Sequence, residues 1–383
     1  MFFLVITAIY TAIHTYLWWC VTRQLGLRGA GALAVGLFFA LMVFAPFLGR
    51  LLRDGSAALS ALEFVTFVWM GAALYLFGLN LCADLWNLAA AIGRHVAPGT
   101  PLPALGGPRL FLGIAAAAAL IVGWSAIEAQ NIRVRRLRVP TPRLAPGTPP
   151  VRVVQVSDVH LGLLAGERRL AGILRRVREA RPDLLVATGD MLDAVGANLE
   201  PLAVMWRQIT PPLGKYAVTG NHEYYTGIRG AVAFLGDAGF RVLRDETAAI
   251  PGVANLVGLE YVGPRSLQDP SVTQRPLAQL VAAGDPALFT LLLKHLPTGF
   301  EEEAAPLGVG LQLSGHTHDG QLWPFRWVVR LSFRHTAGVV RAGQGLLYVS
   351  RGTGTWGPPL RFLAPPEITL FELVPAGGDR NPP

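Results

Sequence analysis

Cysteine is nearly absent from this sequence of 383 residues, which contains only Cys20 and Cys82. Both lie in apolar segments, so no disulfide framework is predicted. Two such thiols also exclude a metal site built from cysteine. Any metal that the protein binds must therefore be held by oxygen and nitrogen ligands.

Charged side chains are absent from four apolar stretches near the N-terminus, which cover residues 2–22, 29–49, 64–83 and 110–127. Each stretch is close to the ~20 residues that a helix needs to cross the hydrocarbon core of a bilayer. None shows the alternation of a strand, so four transmembrane helices are predicted. Because no Asp, Glu, Lys or Arg lies within a span, the sequence offers no ion pathway and disfavours a transporter. Simple anchorage is the expected role of this region.

The distribution of arginine predicts the orientation of these helices. Loops on one side hold seven arginines: Arg50, Arg53, Arg133, Arg135, Arg136, Arg138 and Arg143. Loops on the other side hold four: Arg23, Arg28, Arg94 and Arg109. Since cytoplasmic loops are the richer in Arg and Lys, the C-terminal domain is expected in the cytoplasm.

The positive charge of the chain belongs mainly to this N-terminal region. Residues 1–150 hold 11 Arg and four acidic residues, whereas residues 151–383 hold 22 basic and 21 acidic residues. A nucleic-acid-binding protein would show a basic surface on its soluble part, so no nucleic acid partner is expected. One stretch, residues 168–181, is rich in arginine. We interpret it as the solvated face of a helix, with contact to anionic lipid headgroups as the alternative.

A proline-rich segment separates the two parts of the chain. Residues 139–150 contain five prolines, which exclude a helix and favour an extended spacer. We therefore predict a membrane region over residues 1–130 and a basic, Pro-rich linker over residues 131–150. A soluble domain is expected at residues 151–373, followed by a tail at residues 374–383.

Apolar runs of strand length alternate with helical stretches in the soluble part, which predicts an α/β fold. Strands are predicted at residues 151–156, 184–187, 216–219, 287–293, 309–313, 346–349 and 367–373. Helices are predicted at residues 167–180 and from about residue 227. In such folds ligands bind at the carboxyl ends of the strands.

Short polar motifs follow five of these predicted strands. They are Asp158-x-His160, Gly189-Asp190-x-x-Asp193, Gly220-Asn221-His222-Glu223, His295, and Gly315-His316-Thr317-His318. On an extended backbone, residues i and i+2 project to the same side, so each pair in the first and last motifs could grip one cation. A single motif of this kind is more often a turn, a capping Asp or a core His. Five in order at strand ends indicate a metal site, and ligands without sulfur suit Mn, Fe or Zn.

The order of these motifs resembles that of the calcineurin-like metallophosphoesterases, over about residues 151–373. Two later segments, GHTHDGQLWPF (Gly315–Phe325) and VSRGTGTWGPPLRFLAPP (Val349–Pro366), resemble a bacterial branch that includes integral-membrane members. The resemblance implies a two-sheet sandwich flanked by helices. One departure is Asp319, where that branch usually has Gly. We expect this extra carboxylate to alter the metal preference or the tolerated substrate charge.

The resemblance also implies roles for individual residues. Two metal ions, divalent or mixed-valence, would be held, the first by Asp158, His160 and His318 and the second by Asn221, His295 and His316. Asp190 would bridge them. His222 would protonate the leaving oxygen with the help of Asp193, although Asp193 could instead be a carboxylate at a helix N-terminus. Arg351 would contact a substrate phosphate, or else serve as a structural surface residue.

The sequence therefore predicts a membrane-anchored, metal-dependent phosphoesterase that hydrolyses a phosphodiester or a pyrophosphate. Anchorage favours a lipid-linked substrate. One alternative is a pyrophosphohydrolase of a nucleotide-activated lipid. Another is a non-catalytic membrane receptor with a phosphoesterase-like domain, which the full set of ligands and His222 disfavours. The expected location is a bacterial plasma membrane, as a multi-pass protein with its catalytic domain in the cytoplasm.

Overall fold

The computed structural model describes residues 2–52, 57–99, 101–162, 164–193 and 199–376. The tail predicted at residues 374–383 lies outside these described residues from residue 377 onward. The chain forms two compact units. One comprises Met1–Ile127 with Gly357–Leu360, and the other comprises Glu128–Trp356 with Arg361–Pro383.

The first unit contains four long helices: α1 (Phe2–Leu25), α2 (Gly29–Leu52), α3 (Ala57–Val96) and α4 (Gly107–Gln130). Each contains a segment that is long and apolar enough to cross a membrane. The prediction of four apolar helices is therefore confirmed. Their apolar packing includes Leu17, Phe39 and Ala73, which are buried among these helices.

The third helix is longer than the predicted span. It continues past Asp84 to Val96, although an acidic residue marked the expected end of the apolar stretch. The Asp84 carboxylate accepts a hydrogen bond from Tyr16 at 2.8 Å and pairs with Arg23 at 2.7 Å. Since its charge is compensated from α1, the helix does not need to end there.

The second unit is built on two six-stranded sheets. The first sheet consists, in spatial order, of β1 (Arg133–Thr141), β12 (Glu367–Pro375), β2 (Val151–Val156), β3 (Leu184–Thr188), β4 (Lys215–Val218) and β5 (Arg241–Val242). The second consists of β10 (Gly338–Ala342), β11 (Gly345–Val349), β9 (Leu311–Ser314), β8 (Phe289–Leu293), β7 (Ala254–Gly258) and β6 (Glu246–Ile250). Strands β2 to β5 are mutually parallel, as are β7, β8, β9 and β11. The carboxyl ends of the strands that precede the polar motifs therefore lie together within each sheet.

Helices accompany both sheets in the described part of this unit. They are α5 (Glu167–Ala180), α6 (Glu200–Arg207), α7 (Asn221–Thr226), α8 (Ile228–Asp237), α9 (Leu277–Ala282) and α10 (Arg326–Val329). Short helical turns occupy Ser266–Gln268, Phe300–Ala304 and His318–Gly320.

The core lies between the sheets and beneath the helices. Along β3, Leu184 and Val186 join a buried cluster shared by the two sheets, whereas Leu185 and Ala187 join the cluster that includes α5 and α8. Successive strand residues point to opposite faces, so a strand buried on both sides reads as a continuous apolar run. The predicted sandwich of two sheets flanked by helices is confirmed.

The segment expected to be a linker requires a correction. Its first half forms β1, which pairs in parallel with β12 along its whole length, from Arg133 to Thr141. Val139 and Leu144 are buried in the core. The basic, Pro-rich composition resembles a spacer, but an edge strand tolerates both features because only one of its sides must pair.

Candidate metal centre

The loops that follow β2 and β3 are joined by backbone hydrogen bonds. The N–H of Asp158 donates to the carbonyl of Gly189 at 3.0 Å, and that of His160 donates to Asp190 at 3.1 Å. This pairing extends the parallel ladder beyond the strands. It brings the first motif, Asp158-x-His160, against the bridging candidate Asp190.

The backbone at these motifs is left-handed rather than extended. Five of the seven predicted ligands have positive φ: Asp158 (52°), His160 (53°), Asp190 (53°), His316 (70°) and His318 (50°). Our expectation of i and i+2 side chains on an extended strand is therefore wrong, because β2 and β9 end before the motifs begin. A non-glycine residue in this conformation costs about 1–2 kcal/mol. Strain of this kind persists where the surrounding structure over-determines it, as it does at functional sites.

A first group of donor atoms comes from Asp158, His160 and His318, which are all buried. The Nε2 atoms of the two histidines lie 3.1 Å apart, and Nε2 of His318 lies 3.6 Å from Oδ1 of Asp158. The Asp158 carboxylate accepts the N–H of His316 at 2.9 Å and the hydroxyl of Ser157 at 2.5 Å. These hydrogen bonds hold the Asp158 carboxylate in place.

A second group comes from Asp190, Asn221, His295 and His316. Nε2 of His295 lies 3.3 Å from Oδ2 of Asp190, 3.2 Å from Oδ1 of Asn221 and 3.1 Å from Nδ1 of His316. The other ring nitrogen of His295 lies 2.8 Å from the carbonyl of Thr188. Since a carbonyl only accepts, Nδ1 carries a proton, and Nε2 is the ring atom that faces the group and could bind a metal.

These distances test whether the residues suit a metal ion. Ligands about 2.1 Å from a common tetrahedral ion lie roughly 3.4 Å from one another. The separations of 3.1–3.6 Å in the two groups match that spacing. Lone pairs that converge so closely repel unless a cation or protons lie between them. The donor set of imidazole, carboxylate and amide oxygen therefore fits a divalent transition metal.

Within the two donor groups, acidic and imidazole side chains shift one another's pKa values. Burial alone would lower the pKa of His295, but the carboxylates of Asp190 and Asp158 outweigh it and raise that pKa to about 9. Burial likewise opposes ionisation of Asp190, yet His295 and His222 hold its pKa well below the usual range. Burial, reinforced by His295, lowers the pKa of His316 to about 3. Asp190 is thus a carboxylate and His316 a neutral ligand at neutral pH.

Glycines permit the close approach on which the two groups depend. A Cβ atom on Gly220 would lie 2.2 Å from Oδ1 of Asp190, and one on Gly315 would lie 2.2 Å from Oδ2 of Asp158. Any side chain at either position would displace a candidate ligand.

His222 and Asp193 form a pair beside these groups. Nδ1 of His222 lies 2.7 Å from Oδ1 of Asp193, and its backbone N–H donates to Asp190 at 2.9 Å. Burial opposes protonation of His222, but Asp190 and Asp193 outweigh it and raise its pKa. Helix α6 begins only at Glu200, so Asp193 is not in the first turn of that helix. The structure thus brings the Asp193 carboxylate within hydrogen-bonding distance of the His222 ring.

Sequence reasoning missed the part played by Glu223. Its fully buried carboxylate accepts backbone N–H groups from both neighbouring loops: Asp190 at 2.9 Å, Met191 at 2.7 Å and Gly220 at 2.7 Å. It thereby holds the turn that presents Asp190. The available signal was its position three residues after Gly220 at the start of α7, where a Glu caps a helix.

Asp319 and Arg351 both form ion pairs with neighbouring side chains. Asp319 accepts hydrogen bonds from Arg326 at 2.5 Å and Arg351 at 3.1 Å, so its charge is already balanced away from the candidate ligands. Its φ of 52° explains why glycine suits this position. Arg351 also pairs with Glu367 at 3.1 Å. Because two carboxylates engage its guanidinium, the structural alternative for Arg351 is favoured over contact with a substrate phosphate.

A second missed residue is Arg361, whose side chain is fully buried. Its guanidinium lies 3.1 Å from Nδ1 of His318 and donates to the carbonyls of Arg351 at 2.7 Å and Gly354 at 2.6 Å. It thus ties the loop after β11 to the ring of His318. Nothing in its local sequence distinguished it from a surface arginine.

Comparison with known proteins shows which sequences this chain resembles. A family model described as calcineurin-like phosphoesterase matches residues 151–320. An uncharacterized metallophosphoesterase of Aquifex aeolicus is 37% identical over 262 residues, which cover 68% of this chain and 98% of the relative. One of Helicobacter pylori is 31% identical and covers 59% of this chain and 60% of the relative. A transmembrane protein with metallophosphoesterase domain from Danio rerio is 30% identical over 317 residues, covering 79% of this chain and 70% of the relative. The chain belongs to the calcineurin-like phosphoesterases.

Proposed function

We propose that the protein is a membrane-anchored phosphoesterase that binds two divalent cations and hydrolyses a phosphodiester or pyrophosphate. The observation that carries this proposal is the convergence of two donor groups on one site, with His222 beside them. Asp158, His160 and His318 would hold one ion, and Asn221, His295 and His316 the other. Asp190, whose carboxylate lies 3.3 Å from His295 and whose backbone carbonyl accepts the N–H of His160, would bridge them. The donor types favour Mn, Fe or Zn.

The metal pair would supply Lewis-acid stabilisation of the phosphoryl group and lower the pKa of the attacking water. The protein supplies the remaining chemistry. Asp193 holds the Nδ1–H of His222, which leaves the Nε2–H of the cationic ring free to protonate the leaving oxygen. Asp190 accepts the backbone N–H of His222 and would also be a metal ligand, so the proposed acid is tied directly to a candidate ligand.

A cavity of about 310 Å³ adjoins His295 and supports a substrate larger than a phosphate monoester. Its lining includes Tyr261, Arg275 and Lys294. Its lining also includes Asp245, Glu260 and Glu303, so the charge of the cavity does not select a second phosphate. A pyrophosphohydrolase of a nucleotide-activated lipid stays the alternative that the sequence offers.

The membrane location rests on separate observations. Four helices are long and apolar enough to span a bilayer, and relatives from Danio rerio and Bos taurus are named transmembrane proteins. We propose a multi-pass protein of a bacterial plasma membrane with the catalytic domain in the cytoplasm, as the arginine bias favours. Such anchorage favours a lipid-linked substrate.

Metal content and turnover of the full chain in detergent test the proposed function. After loading with Mn, Fe or Zn, the protein should hold about two ions and hydrolyse bis(p-nitrophenyl) phosphate. Asp190→Asn should lose both metal and turnover, because two cations without the negative bridge repel at close range. Asp237→Asn, a change at an exposed site on α8, is the matched control. Stable metal binding without turnover of any diester or pyrophosphate would instead indicate a receptor.

A further inference from the structure

The segment after the His316/His318 motif exposes an unusual concentration of large apolar side chains. Trp323 is 45% exposed, Phe325 44%, Trp327 58%, Val328 50% and Leu331 86%. Isolated exposed apolar residues are common, but a cluster of five within nine residues marks an interaction surface. The proposed mechanism uses none of these side chains.

Two further exposed residues extend this surface. The backbone N–H of Trp323 donates to Phe362 at 3.0 Å, beside exposed Leu363. The side chain of Gln321 bonds both the N–H and the carbonyl of exposed Trp356, each at 2.8 Å. We call the surface formed by residues 323–331, Trp356 and Leu363 the apolar face.

The apolar face is held by hydrogen bonds and adjoins the candidate metal centre. Arg326, at its middle, is held by Asp319 at 2.5 Å and by the carbonyl of Leu363 at 3.2 Å. The ring of Phe333, just beyond it, lies 5.1 Å from the ring of His316. The ring of Trp356 lies 6.0 Å from that of His222. Whatever covers this face therefore lies next to the reacting groups.

The chemistry of the face selects a lipid surface as its occupant. Residues 323–334 contain two Trp and three Arg but no acidic residue. Arg326 pairs with Asp319 and Arg334 with Glu301, so Arg330 is the arginine expected to meet lipid phosphate. The guanidinium of Arg330 stacks 4.7 Å above the ring of Trp327. Tryptophan favours the headgroup layer of a bilayer, and arginine binds its anionic phosphates. If α4 spans the membrane, the soluble unit starts close to a bilayer, because β1 begins three residues after the end of α4.

We propose that the apolar face inserts into the interfacial layer of the membrane, so that the metal centre opens onto lipid headgroups. This deepens the proposed function and rests on it for one consequence, that the enzyme draws its phosphoester substrate from the bilayer surface. The contact with lipid itself does not depend on activity.

Site-directed spin labelling of the full chain tests the contact. In a Cys20→Ala/Cys82→Ala background, Leu331→Cys is labelled in nanodiscs of phosphatidylcholine and phosphatidylglycerol. Val204→Cys is the matched control, because Val204 is an exposed residue of α6 in the soluble unit. The label at position 331 should be reached by oxygen in preference to a water-soluble nickel complex, and the control should show the reverse. A label at 331 that is as aqueous as the control overturns the proposal. A label shielded from both reagents also overturns it, because that outcome identifies a protein partner.

Activity separates this inference from the function on which it rests. Trp327→Ser/Leu331→Ser should lower turnover of a phosphoester embedded in the nanodisc by roughly tenfold or more, because apolar burial sets affinity for the interface. Turnover of soluble bis(p-nitrophenyl) phosphate should not change. Equal turnover of the embedded substrate by variant and wild type would refute delivery from the bilayer. Absence of any turnover by the wild type would refute the phosphoesterase, while the spin-label result would still stand.

Discussion

At the scale of single residues, His222 is the proposed proton donor. Its backbone N–H donates to Asp190 at 2.9 Å, and an alanine would retain that N–H. His222→Ala keeps this bond, so both metals should remain bound while turnover falls by about 10²–10⁴-fold. The loss should be large for alkyl esters and small for nitrophenyl esters, whose leaving groups need little protonation. Rates measured across a series of leaving groups check this. An equal loss throughout the series would make His222 a ligand or a substrate contact.

Asp193 affects the pKa of His222. Its carboxylate, together with Asp190, raises the pKa of His222 against the opposing effect of burial. Removing that negative charge in Asp193→Asn should therefore lower the pKa of His222. Because a general acid must be protonated, the decline of rate with rising pH should begin at a lower pH than in the wild type. The pH dependence of kcat for an alkyl ester measures this shift. The control Asp237→Asn should leave the pH profile unchanged. If Asp193→Asn also left it unchanged, Asp193 would not influence the pKa of the general acid.

At the scale of elements, Glu223 joins the loops after β3 and β4. Glu223→Gln leaves one acceptor oxygen and turns an amide N–H₂ toward backbone donors. We expect a loss of about 2–4 kcal/mol of stability, since buried donors lose a charged acceptor. Metal should also be retained poorly, because the turn that carries Asp190 is released. Thermal unfolding and metal analysis in detergent measure both effects, with the exposed Glu302→Gln as control. Wild-type behaviour of Glu223→Gln would limit its role to helix capping.

Strand β1 shows how element boundaries depend on distant partners. Its sequence, RVRRLRVPT, has the basic and proline-containing character of a spacer. Its assignment as a strand comes from pairing with β12, more than 220 residues later in the chain. No local sequence pattern indicates a pairing with so distant a strand. The soluble unit therefore begins before the proline-rich segment and not after it.

At the scale of the whole molecule, the predictions concern topology. Four membrane crossings return the chain to the side on which it began. The excess of arginine on the side of residues 133–143 predicts that both termini lie in the cytoplasm. Reporters fused at the N-terminus and after Pro383 should both report the cytoplasm. An external C-terminal reporter would contradict the orientation, and reporters on opposite sides would contradict the number of crossings.

The sequence by itself determined the four apolar helices, the α/β domain and the residues that gather at its strand ends. These properties are local: hydropathy over about 20 residues defines a span, and strand-length apolar runs end where polar motifs begin. Asp158, His160, Asp190, Asn221, His295, His316 and His318 were identifiable for that reason.

Only the tertiary structure decided how those residues are held. The left-handed backbone at the motifs, the bonds of Glu223 to two loops and the burial of Arg361 all arise from contacts between segments far apart in sequence. The same is true of Asp319 and Arg351, whose charges looked available for chemistry until their ion pairs were seen. A charged residue reveals its chemistry in sequence but not its partner, and the partner decides whether that charge meets substrate or stabilises the fold.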